Sequence, residues 1–157
     1  MYNTDEQTVR YFAGTESHNT IMLGNFDQMQ KGMRFIWFYP PTLLSANLQE
    51  EDDAYLFEGK INAFKQMREG ITVQRTIRKR KGFAEWMISD KVEGTVSNEV
   101  KRQLWHTDDA NIQFASNGER KEKEGWTSDY YGVKRETKEI EFQISNEEIE
   151  TRIEIAK

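Results

Sequence analysis

The 157 residues, 18.6 kDa, make one ordinary domain with room for a buried core, and 12% aromatic content excludes disorder despite 31% charged residues and a mean hydropathy of −0.86. The absence of cysteine removes disulfide scaffolds, thiol catalysis and cysteine-ligated zinc. A net charge of −5 and a pI near 5.2 weigh against a nucleic-acid surface, and no apolar run reaches the roughly 18–20 residues of a membrane span.

Period-2 alternation predicts strands at 9–13, 18–24, 33–39, 53–65, 70–79, 83–92, 98–106, 110–115, 130–144 and 149–156. The last is the plainest case: Ile149, Thr151, Ile153 and Ile155 alternate with Glu150, Arg152, Glu154 and Ala156. Between the strands stand turn signals such as Arg80-Lys81-Gly82, Val92-Glu93-Gly94, Thr107-Asp108-Asp109 and Asn117-Gly118. Pro40 to Glu51 reads as a short helix or an irregular crossing, and Asn117 to Ser128 as a solvated loop or a charged hairpin tip. Helical pattern is otherwise scarce and no repeat of fixed period exists, so the expectation is an all-β fold. Two packed antiparallel sheets with little helix are expected, forming a single domain over 1–157.

Local motifs for chemistry are few. The two histidines, His18 and His106, do not form a short-spaced metal pair, and the chain has no Gly-rich phosphate loop and no nucleophile elbow. Trp86 alternates with Ala84 and Ile88, which predicts a buried ring. Trp126, in a polar stretch, is the best candidate for stacking on a sugar. Arg75 and Arg34 suit either salt bridges across a sheet or the carboxylates of an acidic ligand.

One stretch is more distinctive. Tyr2-Asn3-Thr4, then Arg10-Tyr11-Phe12-Ala13-Gly14-Thr15-Glu16-Ser17-His18-Asn19-Thr20, then Asp27-Gln28 resemble a run in the heparinase II/III-like family of polysaccharide lyases. Thr72-Val73-Gln74-Arg75-Thr76-Ile77 and Trp86-Met87-Ile88-Ser89-Asp90-Lys91-Val92-Glu93-Gly94 resemble later strands of its C-terminal region. Leu104-Trp105-His106 and Tyr130-Tyr131-Gly132 agree in order. Ala13 departs from the pattern, because an arginine is common before the glycine.

The resemblance implies a C-terminal β-sandwich fragment of a larger protein, whose helical toroid and first sandwich strands lie upstream. It implies a parent that cleaves uronic-acid-containing glycans by β-elimination, with the fragment alone inactive. A metal such as zinc would be held in the full-length parent by two upstream ligands plus His18, and none is expected in the fragment. The alternative for His18 is a ring hydrogen-bonded in the core at a strand start. Tyr2 stands where the family carries an aromatic residue near the substrate cleft, a candidate acid or base, and Arg10 and Trp126 are the candidate substrate-binding residues. His106 reads as a surface or packing residue. The implied partners are an acidic polysaccharide and the protein's own N-terminal helical domain, in a bacterial periplasm or cell envelope. The competing readings are a non-catalytic carbohydrate-binding or interaction module, or a parent that serves surface-polysaccharide biosynthesis.

Overall fold

The alternating segments become strands of two antiparallel sheets. The computed structural model describes residues 6–34, 36–95, 99–130 and 133–156. An N-terminal helix α1 (Glu6–Ala13) and a 3-10 turn (Thr15–Ser17) precede β1 (Ile21–Leu23) and a small hairpin of β2 (Gln30–Lys31) with β3 (Trp37–Phe38). Then follow β4 (Thr42–Glu50), β5 (Ala54–Asn62), β6 (Thr72–Arg80), β7 (Glu85–Glu93) and β8 (Lys101–Thr107). The chain ends in β9 (Ile112–Ser116), β10 (Glu119–Tyr130), β11 (Val133–Ile144) and β12 (Glu148–Ile155). The large sheet runs β4-β5-β6-β7-β12-β9 and the small one β1-β8-β11-β10.

Side chains from facing strands close the core. Val73, Ile88, Val92 and Ile149 of the large sheet pack against Ile21, Leu23, Trp105, Ile140 and Phe142 of the small one. Each is buried, and burial of such side chains stabilises by about 1.5–3 kcal/mol apiece before the entropy of ordering is counted. Trp86 is half-buried at the rim of this core, with the Lys79 ammonium 4.7 Å from its ring centroid. The chain passes from the large sheet to the small one at Asn117-Gly118. A Cβ on Gly118 would stand 2.9 Å from Ile149 Cδ1, so the close crossing requires glycine.

Four expected elements differ. Residues 9–13, expected as a strand, belong to α1, where Glu6 in the first turn and Arg10 in the last complement the helix dipole. Helix α1 ends where Gly14 N–H donates to Arg10 O (3.0 Å) and Tyr11 O (3.1 Å). Residues 42–50, expected as a helix or crossing, form edge strand β4; all nine are exposed, so no burial imposes a period. Residues 119–130, overlapping the stretch 117–128 expected as a solvated loop or a charged hairpin tip, form β10. Its charges pair across the sheet, with Lys121 opposite Glu141 and Lys123 opposite Glu139, so hydrophobicity cannot reveal the strand. The stretch 33–39 contributes only the two residues of β3 as strand.

Candidate functional site

The Gly14-to-Thr20 segment and Asp27-Gln28 lock into each other. Thr15 N–H donates to Asp27 Oδ1 (2.5 Å) and Gln28 N–H to Thr15 Oγ1 (2.9 Å). The Gln28 amide then reaches Thr20 Oγ1 (2.9 Å) and Ile21 O (3.2 Å). Gln66 Nε2 donates to Asp27 O and Phe64 N–H to Gln28 O, fastening both segments to the turn after β5.

His18 projects from this frame into solvent rather than into the core. Its Nδ1 lies 2.8 Å from Ser17 Oγ, and that hydroxyl has the Gly14 carbonyl at 3.2 Å and the Phe12 carbonyl at 3.4 Å. Where the hydroxyl proton goes to one of these carbonyls, its lone pair accepts the proton of His18 Nδ1. The tautomer this selects leaves Nε2 with a free lone pair, the form in which histidine ligates a metal. The ring lines a cleft of about 420 Å³ with Ala13, Thr15, Thr20, Gln28 and Met29. Among the described residues no group of three His, Asp or Glu side chains comes together to hold a metal ion. His18 has no two such companions among the described residues.

A second cleft, of about 610 Å³, adjoins the first across Gly14 and Met29. Exposed Arg10 and Lys31, Trp37, Phe26 and Gln66 line it. Trp126 is not brought there. It sits in β10 on the other flank of α1, half-buried, in a separate cleft with Gln7, Thr8, Tyr11, Phe12 and Lys134, whose ammonium lies 4.4 Å from its ring centroid. Tyr2 lies outside the described residues.

Sequence reasoning missed how Asn19 is held. Its Oδ1 accepts the His106 backbone N–H (2.8 Å) and the His106 Nδ1 proton (3.1 Å), and its backbone O accepts Arg75 Nη1 (2.7 Å). These partners lie 87 and 56 residues away, beyond any local motif. Arg75 also forks onto Asp90, 2.6 Å at each oxygen, as the salt-bridge reading expects. His106 is a packed residue, with Nε2 3.3 Å from both Tyr11 Oη and Glu139 Oε2. Fully buried Glu139 faces Lys123 at 3.0 Å, which also pairs with Glu16. Burial pushes the Tyr11 phenol above its ordinary value, so it stays protonated as a hydrogen-bonding group.

Residues 1–106 match the family described as heparinase II/III-like, C-terminal. Among solved structures, a heparinase III, the BT4657 gene product, superposes with a TM-score of 0.72 at 15% identity over 97% of this chain and 26% of that one. Its form with methylated lysines gives 0.71 at 14% identity, over 95% and 25%. Another heparinase III crystal structure gives 0.70 at 13% identity, over 98% and 26%. At such identities the likeness is one of fold, and the chain spans about a quarter of the length of each of these structures. No curated protein matches the sequence. With 106 of its 157 residues matched, the chain belongs to the heparinase II/III-like family, in that family's C-terminal part.

Proposed function

We propose that this β-sandwich forms one wall of the active cleft of a polysaccharide lyase acting on uronic-acid-containing glycans. The observation that carries the reading is the junction of two clefts. His18 offers a free Nε2 in one, and Arg10 and Lys31 line the other, neither with an ion-pair partner among the described residues. In β-elimination a base removes the C5 proton, the C4–O bond breaks, the leaving oxygen is protonated and a C4–C5 double bond remains. The adjacent carboxylate must be neutralised for the developing negative charge to be tolerated. Arg10 and Lys31 are suited to bind and orient acidic sugars, and Trp37 with Phe26 offers apolar surface for ring faces. A divalent cation such as zinc, when bound, would supply further positive charge beside the substrate carboxylate. His18 Nε2 would be one of its ligands, the others and a helical domain being contributed by the rest of a longer polypeptide. Tyr2 is the candidate for proton transfer. Such a protein would work in a bacterial periplasm or cell envelope, where acidic polysaccharides are met.

The rival reading, a carbohydrate-binding module, would use Trp126, but that ring is half-buried and already faces the Lys134 ammonium. The test is elemental analysis and ultraviolet detection of unsaturated product with the longer polypeptide and its His18→Ala variant. Metal affinity should fall by about 10–100-fold in the variant, and product should form only with the intact polypeptide, not with this chain alone. Full metal occupancy in His18→Ala, or no product from any uronate glycan, would refute the reading.

A further inference from the structure

We propose that Arg75 is a positioning residue for His18, acting through the Asn19 carbonyl. The proposal rests on the reading of His18 as a functional side chain. It gives a task to the two strand motifs, around Arg75 and Asp90, that the cleft itself does not use.

The argument starts in the core. Asp90 is fully buried and holds three charge-assisted bonds, two from Arg75 and one from Gln103 Nε2 at 2.7 Å. Gln103 cannot turn over, because its Oε1 accepts Trp105 Nε1 (3.0 Å) and Thr151 Oγ1 (2.5 Å). The chain Thr151–Gln103–Asp90–Arg75 thus joins the two sheets and fixes the guanidinium plane, which also lies 5.4 Å from the Trp105 ring centroid. Fixing that plane aims Nη1 out of the core at Asn19 O, 2.7 Å away. A buried ion pair adds little net stability over an apolar packing of the same volume. A third donor, directed at an exposed segment, does what an apolar replacement cannot.

The segment it meets has no other freedom. His18 N–H donates to Thr15 O (3.1 Å), Thr20 N–H to His18 O (2.9 Å) and Leu104 N–H to Thr20 O (2.8 Å). His106 grips the Asn19 side chain from the opposite side. With the Asn19–Thr20 peptide held by Arg75, and His18 N–H and O both bonded, the backbone on either side of His18 is fixed and its imidazole is seated on Ser17 beside the cleft. Only arginine has the donors to fork onto Asp90 and reach Asn19 O at once; lysine has a single point of charge.

The test uses this chain, Arg75→Lys, and the double variant Arg75→Gln with Asp90→Asn, which removes both charges together and leaves no orphan ion. Circular dichroism and the amide spectrum verify folding. The readout is the ¹⁵N signature of the His18 ring, with hydrogen exchange at Thr20 N–H. Wild type should show one tautomer with Nδ1 protonated. Both variants should shift toward the tautomer average, with Thr20 exchange faster by about tenfold or more as the charge-assisted bond is lost. Folded Arg75→Lys and double variants with unchanged His18 signals and exchange would overturn the proposal. Failure of the metal reading looks different: the longer polypeptide keeps full metal occupancy in His18→Ala, while Arg75→Lys still moves the His18 signals of this chain.

Discussion

The outer face of the small sheet and the β4–β5 wing of the large sheet reverse the usual placement of side chains. Under α1 and the 3-10 turn, the small sheet buries Glu139, Glu141 and Leu104 on its outer face. On the wing, Leu43, Leu44 and Leu48 are 67%, 52% and 71% exposed, with Phe57 and Tyr55 beside them. Charge is tolerated inside where each group finds a partner: Arg102 forks onto Glu141 at 2.8 and 2.7 Å, and Lys123 and His106 flank Glu139. Apolar residues are tolerated outside only because nothing in the fold selects against them there. Burial alone therefore does not identify the core of this protein. Satisfaction of polar groups does.

Three experiments break or sharpen that contrast. Arg102→Ala should have the largest effect, about 3–5 kcal/mol by chemical denaturation, because it leaves the Glu141 carboxylate buried without its cation. The same variant tests a pH dependence. Burial raises Glu141, but its bonds from Arg102 and Gln143 outweigh this and hold it below the ordinary glutamate value. A depressed folded value means the pair stabilises above about pH 4.3, and that contribution is lost as pH falls through the folded value. Wild-type Tm should therefore drop on acidification below about pH 4, and Arg102→Ala should flatten that branch.

Tyr11→Phe should cost about 1 kcal/mol, since the phenol oxygen accepts the Trp126 N–H at 3.1 Å and bridges to His106. Helix α1 has no buried residue, so hydrogen exchange should accelerate selectively there, with β8 and β11 unaffected. Leu48→Ala, on the wing, should change Tm least, by an equivalent of about 0.5 kcal/mol or less. A large loss there would mean that the wing is covered in solution.

Alternation made β5 to β9, β11 and β12 legible, because each has one face on the core. It failed at β4, where neither face is buried, and at β10, where Glu119 to Glu124 are all charged and all exposed. Helix α1 was hidden by its length, eight residues in which Val9, Tyr11 and Ala13 happen to alternate with Arg10 and Phe12. His18 stood out within its motif, whereas its supports came from β6, β7 and β8, and only folding brings those strands to Asn19. The one local hint was the cross-strand pairing of Arg75 with Asp90, two opposite charges on otherwise apolar faces.

The free rim of β4 also governs behaviour in concentrated solution. Its outward backbone groups form a template for a further strand, and across nine residues the only charge is Glu50, at the far end. The rim of the small sheet, β10, carries Lys, Arg and Glu side by side and is guarded against such growth. Colloidal stability of this chain therefore depends on its overall charge of −5 rather than on local gatekeepers. That protection vanishes near the isoelectric pH of about 5.2, where sheet-edge association through β4 becomes the route to precipitation.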